Sequence, residues 1–172
     1  MLIAIVLILS FVGKASLGII LSQNLNYWGT GSGYSFYYEM AQNLISGGGL
    51  YLYGGHHLFI PANFYALHPP LYPLFVAALC KLTHSSASSF IIVQALVSTL
   101  TVWIVYKITS RIAGPRAGLL AAVLYAFYPY AFFHDTQLQE TNLYNLFSLA
   151  SVWSLIVSID KKKTLFFFLT GL

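Results

Sequence analysis

The strongest constraint on the fold is a set of long apolar segments that carry almost no charge. The first runs from Leu2 to Leu21, and three more occupy residues 89–109, 115–133 and 137–159. About 20 consecutive apolar residues are enough to cross the hydrocarbon core of a bilayer as an α-helix. We therefore predict an all-α integral membrane protein in which these four segments are transmembrane helices.

The composition fits a membrane protein and excludes a soluble domain. Hydrophobic residues make up 58% of the chain and charged residues only 7%, against roughly 25% charged residues in soluble domains. The net charge of +4 does not indicate nucleic acid as a partner, because the basic residues flank apolar segments, where they report topology. The single cysteine, Cys80, excludes an internal disulfide and a CxxC metal site.

Two clusters of basic residues predict the orientation. Lys107, Arg111 and Arg116 lie between the second and third apolar segments, and a lysine run at 161–163 follows the fourth. Both loops are therefore expected on the cytoplasmic side. Counting back along the chain gives a multi-pass protein with a cytoplasmic N-terminus.

The loop at residues 23–88 is predicted to lie wholly outside. Its apolar segment Leu71–Leu82 would rise only about 18 Å as a helix, too little to cross a core of about 30 Å. An apolar stripe at helical spacing is formed by Tyr34, Tyr37, Tyr38, Ala41, Leu44 and Ile45. Glu39 lies on the polar side, and glycines at 47–49 are a stop signal. We thus expect two interfacial or re-entrant helices in this outer loop.

Nearly all groups that could support acid–base or metal chemistry fall on the predicted outer side. These are all 5 histidines and every acid except Asp160. Lys14 is different, because it lies within the first apolar segment, where it either faces a polar cavity or extends its amine toward the interface.

The loop before the fourth predicted span contains two acids. Thr136 and Gln139 match a capping box, so the helix is expected to begin near Gln137. Asp135 would then precede the helix, and Glu140 would lie in its first turns, near the positive end of the helix dipole. Either the acids only complement the dipole, or Glu140 acts on a ligand at the membrane edge.

The string His68-Pro69-Pro70 is the most specific short motif. The prolines impose an extended backbone and so fix the direction of the imidazole. His68 is either a functional residue or an interfacial side chain with a satisfied hydrogen bond. His56 and His57 are weak candidates for metal ligands, together with His68 or His134.

Four strings occur in a recognisable order: YYEMAQNLISGGGLY, HPPLYPLFVAAL, GPRAGLLAA and YPYAFFHDTQLQETNL. With the first span before them, they resemble the N-terminal module of the GT-C glycosyltransferases. The similarity is greatest to the bacterial branch grouped with dolichyl-phosphate-mannose protein mannosyltransferases and the lipid A aminoarabinose transferase. Those enzymes transfer a sugar from a polyprenyl-phosphate carrier to an acceptor outside the cytoplasmic membrane.

The resemblance implies a GT-C-like helix bundle in the cytoplasmic (inner) membrane. It also implies a polyprenyl-phosphate sugar donor, the lipid bilayer, and a protein, glycan or lipid acceptor. It leaves the cofactor open, with a divalent metal as one option. Glu140 matches the family acid that opens the span after the second outer loop, although Gln139 replaces the usual Thr. His68 matches a basic or His residue before two prolines. The remaining candidates are Asp135 and Glu39 for catalysis and Tyr38, Tyr72 and His134 for substrate binding.

One departure from the family pattern keeps an alternative open. The family acid about eight residues before Ala41 is replaced by Gly33. A non-catalytic lipid-binding or transporter-like fragment is therefore the second hypothesis, unless Glu39 or Asp135 substitutes for that acid. The apolar run after Lys163 is too short to span, so we also expect a longer chain.

Overall fold

The computed structural model describes residues 1–24, 35–54, 60–65 and 68–161, and this part of the chain is mostly helical. The elements are α1 (Leu2–Asn24), α2 (Ser35–Ile45), β1 (Tyr51–Tyr53), β2 (Asn63–Tyr65), α3 (Leu71–Thr83), α4 (Ala87–Ala113), α5 (Pro115–Ala126), α6 (Pro129–His134) and α7 (Thr141–Lys161). Within the described ranges, α1, α4 and α7 are long and apolar enough to cross a membrane, whereas α3 and α5 are shorter apolar helices. The predicted all-α membrane class is confirmed.

Helix α4 lies at the centre of the bundle and contacts α1, α3, α5 and α7. Helix α1 runs antiparallel to it, because Gly18 near the end of α1 meets Ile91 near the start of α4. A Cβ atom on Gly18 would lie 2.5 Å from Ile91 Cγ2, so a glycine is needed for this close approach.

Helix α7 runs parallel to α4. Near their first turns, Asn142 Nδ2 donates to the Gln94 carbonyl at 2.9 Å, and near their last turns Arg111 pairs with Asp160 at 2.8 Å. The bundle therefore has two chemically different ends. We call the end where α4 and α7 begin the site end, and the end that carries Arg111 the basic end.

Helices α2 and α3 pack against each other at the site end. The two short helices expected in the outer loop are thus present, and α2 ends before Gly47, whose φ is 83°. The buried face of α2 includes Tyr37 and Ala41 of the predicted stripe, but also Met40, which was not predicted. A small antiparallel hairpin, with Tyr51 opposite Tyr65, was not predicted either.

The predicted span at 115–133 is interrupted. Helix α5 ends at Ala126, and α6 begins at Pro129 after an extended Tyr128 with φ −62° and ψ 116°. Pro129 explains the break, because proline lacks an amide donor and disfavours helical backbone in the residue before it.

The predicted start of the next helix near Gln137 is wrong. Helix α7 begins at Thr141, and Gln139 N, which a cap at Thr136 would need as donor, donates to the Gln137 carbonyl at 2.9 Å. The Glu140 carbonyl accepts the first helical hydrogen bond, from Tyr144 N at 3.0 Å. Glu140 therefore lies immediately before α7 and not, as was predicted, within its first turns.

Candidate functional site

Three segments that are distant in sequence converge at the site end. Tyr37 comes from α2, His68 precedes α3, and Glu140 precedes α7. The Tyr37 hydroxyl donates a short hydrogen bond to Glu140 Oε2. The His68 ring stacks on Phe36, with centroids 4.4 Å apart and planes 7° apart, and lies 5.1 Å from the Tyr37 ring. The two strongest sequence candidates, His68 and Glu140, are therefore neighbours.

The environment of His68 favours its neutral form. Burial lowers the pKa of His68 below its ordinary value, and the negative charge of Glu140 opposes this effect only in part. A neutral imidazole has one N–H donor and one acceptor nitrogen. At neutral pH, His68 can therefore donate a hydrogen bond to a phosphate or hydroxyl oxygen without carrying a charge.

Aromatic side chains form the base of the site. The Tyr37 and Tyr72 rings meet edge to face at 4.8 Å, and both residues are buried. Tyr38 packs at the edge of the same hydrophobic cluster and is only partly buried. Tyr37 is missing from the predicted site residues, although its helical spacing from Ala41 placed it on the buried face of α2.

Asp135 and Lys14 form a buried ion pair beneath the loop that carries Glu140. Lys14 Nζ lies 2.7 Å from Asp135 Oδ2, and the side chains are 0% and 5% exposed. Ser98 Oγ accepts from Lys14 Nζ and donates to Asp135 Oδ2, both at 2.5 Å. Lys14 therefore faces inward and does not extend toward the interface, but it is fully buried against Asp135 and Ser98 instead of facing a polar cavity. Its polar partners come from α4 and from the loop.

A second polar contact fixes the same loop. The buried side chain of Gln94 donates through Nε2 to the Gln137 carbonyl, and Asn142 Nδ2 lies 3.4 Å from Gln94 Oε1. Leu138, between these contacts, is buried in the core cluster. No sequence pattern pointed to Gln94, because its partners are brought close only by the tertiary fold.

The other sequence candidates lie elsewhere or cannot be placed. Glu39 accepts a hydrogen bond from Tyr53 N at 3.0 Å, which ties the hairpin to α2. His134 Nδ1 is 2.5 Å from Gln139 Oε1, and its ring packs 4.0 Å from that of Tyr130. Gly33, His56 and His57 are outside the described residues.

The described residues do not complete a metal site. Among residues 1–24, 35–54, 60–65 and 68–161, no three His, Cys, Asp or Glu side chains come close enough to share an ion. Zinc sites use three or four protein ligands, whereas Mg²⁺ is commonly held by one or two carboxylates together with substrate phosphates. Within the described residues, a ligand set of the zinc type is therefore absent.

Comparison with known proteins gives one match. The profile of the family described as dolichyl-phosphate-mannose-protein mannosyltransferase matches residues 67–172. This stretch is more than half of the chain, and it contains His68, Asp135 and Glu140. We find no match among curated proteins or solved structures.

Proposed function

Because the chain belongs to the dolichyl-phosphate-mannose-protein mannosyltransferase family, we propose that it transfers a sugar from a polyprenyl-phosphate donor to an acceptor hydroxyl. The observation that carries this proposal is the meeting of Glu140 with Tyr37 and His68 at the site end. A carboxylate and an imidazole lie there beside an apolar aromatic cluster. Such a site suits a substrate with a polar headgroup and a lipid tail.

Glu140 is the proposed general base. Its carboxylate takes the proton of the acceptor hydroxyl while that oxygen attacks the anomeric carbon of the sugar. The bond from the anomeric carbon to the phosphate oxygen breaks, and the polyprenyl phosphate leaves with the electron pair. Displacement in line inverts the anomeric centre. The hydrogen bond from Tyr37 orients the carboxylate for this transfer.

His68 is the proposed ligand of the donor phosphate. Its ring is fixed by stacking on Phe36, and in its neutral form it can donate one hydrogen bond to a phosphate oxygen. Tyr38, at the partly buried edge of the aromatic cluster, is proposed as a further substrate contact, whereas Tyr72 is buried and His134 packs against Tyr130. Lys14 is unsuited to this role, because it is fully buried and paired with Asp135.

We place the site at the outer face of the cytoplasmic membrane. The basic end carries Lys107 and Arg111, with Arg116 in the next helix, and positively charged loops favour the cytoplasmic side. The site end is opposite and carries α2, the hairpin and α3. This orientation supports an acceptor and a donor headgroup on the extracytoplasmic surface.

The decisive experiment replaces the proposed base. Membranes that contain the protein receive a polyprenyl-phosphate hexose with a radiolabelled sugar, and transfer to endogenous acceptors is measured. Glu140→Gln should reduce the transfer rate by about 100-fold or more, the range typical of a lost general base. Asp160→Asn removes an acid at the basic end and should transfer normally. Unchanged transfer by Glu140→Gln would refute the proposal.

A further inference from the structure

We propose that Lys14, Ser98 and Asp135 are positioning residues, which fix the loop at 135–140 so that Glu140 points into the site. This inference rests on the proposed function for its meaning in catalysis. It assigns a role to helix α1, which lies before the residues 67–172 matched by the family profile. It also gives Asp135 a role other than that of a catalytic acid.

The three side chains form a closed triangle of hydrogen bonds. Lys14 donates to Ser98 at 2.5 Å and to Asp135 at 2.7 Å, and Ser98 donates to Asp135 at 2.5 Å. The contacts join α1, α4 and the loop before α7. Moving the loop away from α1 would separate two opposite charges in a buried environment, which is costly, so the triangle strongly restricts the loop.

Stability alone is a weak reason for such a pair. Two charges lose much hydration on burial, and well-packed apolar side chains of similar volume are often equally stabilising. An ion pair does, however, select one arrangement, because only one register brings the opposite charges together. The Lys14–Asp135 pair therefore favours one position of the loop that ends at Glu140.

The restraint is transmitted to Glu140 through a short and fully anchored segment. Gln94 binds the Gln137 carbonyl from α4, Leu138 is buried in the core, and Asn142 binds Gln94 just after Glu140. Gln94 and Ser98 are four residues apart and so lie on the same face of α4. The loop is therefore fixed before, within and after the stretch that leads to the carboxylate.

Direct roles in catalysis fit these residues poorly. Lys14 is 0% exposed and Asp135 only 4% exposed, so neither offers a surface to a substrate. Glu140 and His68 are both partly exposed at the same end. Lys14 and Asp135 thus lie buried, and the partly exposed Glu140 and His68 lie nearer the surface. The buried pair supports the exposed one.

The test removes the charges while keeping the volume. The double variant Lys14→Met/Asp135→Leu should fold and melt near the wild-type temperature, because an apolar pair replaces the ion pair. Its kcat for sugar transfer should fall by about 10-fold to 100-fold, since small misplacements of a catalytic group have effects of this size. The KM for the donor should change by less than about twofold, because the proposed phosphate ligand His68 is untouched.

A second readout does not depend on sugar transfer. Glu140 raises the pKa of His68, so a carboxylate that has moved away should leave the pKa of His68 lower than in the wild type. Nuclear magnetic resonance of labelled histidine in nanodiscs measures this value. The matched control is Arg111→Met/Asp160→Leu, which removes the exposed ion pair at the basic end and should alter neither kcat nor the His68 pKa.

The outcomes separate this inference from the proposed function. A double variant with wild-type kcat and wild-type His68 pKa overturns the positioning role. If the wild type transfers no sugar, the proposed function fails, yet a lowered His68 pKa in the double variant still supports positioning. If the double variant does not fold, Ser98→Ala is the deciding variant. It keeps both charges, and it should lower both kcat and the His68 pKa, as expected for the double variant.

Discussion

The Tyr37 hydroxyl donates a hydrogen bond to the Glu140 carboxylate, although the two residues are 103 positions apart in the sequence. The contact joins α2, which packs at the site end of the bundle, to the start of α7. The ring of the same tyrosine contacts the ring of His68, with centroids 5.1 Å apart. Tyr37 therefore connects the two residues on which the proposed chemistry depends.

Removing this hydroxyl should affect both stability and rate. Tyr37→Phe keeps the buried ring but deletes the donor, and hydrogen bonds to charged groups contribute about 1.5–3 kcal/mol. We expect the free energy of unfolding to fall by about that amount, together with a slower transfer rate. Tyr144→Phe, at a 70% exposed position on α7, is the matched control. Equal unfolding free energies in micelles for the two variants would contradict this prediction.

The proximity of His68 and Glu140 predicts a coupled titration. Because the charge of Glu140 raises the pKa of His68, Glu140→Gln should lower that pKa further. Histidine resonances recorded across a pH series give the value directly. Asp160→Asn removes an acid at the basic end and should leave the His68 pKa unchanged. An unchanged pKa in Glu140→Gln would show that the two side chains are not neighbours.

The lowered pKa of His68 also fixes the sign of a pH effect on stability. The folded pKa lies below the ordinary value of about 6.5, so the unfolded chain binds more protons between these two values. Stability should not depend on His68 above about pH 6.5, should decline as the pH falls from there to the folded pKa, and should level off below it. His68→Phe keeps an aromatic ring but cannot titrate, so its melting temperature should decline less between pH 7.5 and 5.5.

Sequence patterns predicted the parts of the site that local rules control. His68 was identified because two prolines fix its backbone, and Glu140 because it follows a loop at the start of an apolar segment. The resemblance to GT-C enzymes is confirmed by the family match. The break at Tyr128 could also have been predicted, since Pro129 disfavours a continuous helix.

The remaining parts depend on tertiary contacts that have no local pattern. Lys14 was an unexplained charge in an apolar segment until the fold placed Asp135 beside it. Gln94 resembled any polar residue in a helix, because its partners follow more than 40 positions later. The capping box at Thr136 was a wrong prediction, because Gln139 N, the donor that such a cap would accept from, donates to the Gln137 carbonyl instead.

Gln94 should be needed for the position of the loop. Gln94→Leu leaves the Gln137 carbonyl and the Asn142 amide with one partner fewer each, and a buried polar group without its partner costs about 1–3 kcal/mol. Gln42→Leu is the matched control, since its amide makes only a 3.5 Å contact with Ser85. Thermal unfolding should separate the two variants clearly. A Gln94→Leu protein as stable as Gln42→Leu would argue against a role of Gln94 in fixing the loop.

Gly18 should tolerate no larger side chain. In Gly18→Val the new Cβ would meet Ile91 Cγ2 at 2.5 Å and Thr136 Cβ at 3.3 Å, so α1 must move away from α4. Overpacking of this kind costs about 1–3 kcal/mol. Ser16→Val, at an exposed position of α1, should be nearly neutral. Adding Ile91→Ala to Gly18→Val should restore part of the loss, and the absence of any rescue would contradict the close approach.

The orientation of the bundle can be tested by thiol labelling, because the one native cysteine, Cys80, is buried. His84 at the site end and Arg116 near the basic end are both exposed, so cysteines introduced there should be reactive. Positively charged loops favour the cytoplasm, which predicts that His84→Cys reacts with a membrane-impermeant maleimide in intact cells. Arg116→Cys should react only after the membrane is permeabilised. The reverse pattern would place Glu140 and His68 on the cytoplasmic side, where an extracytoplasmic acceptor could not reach them.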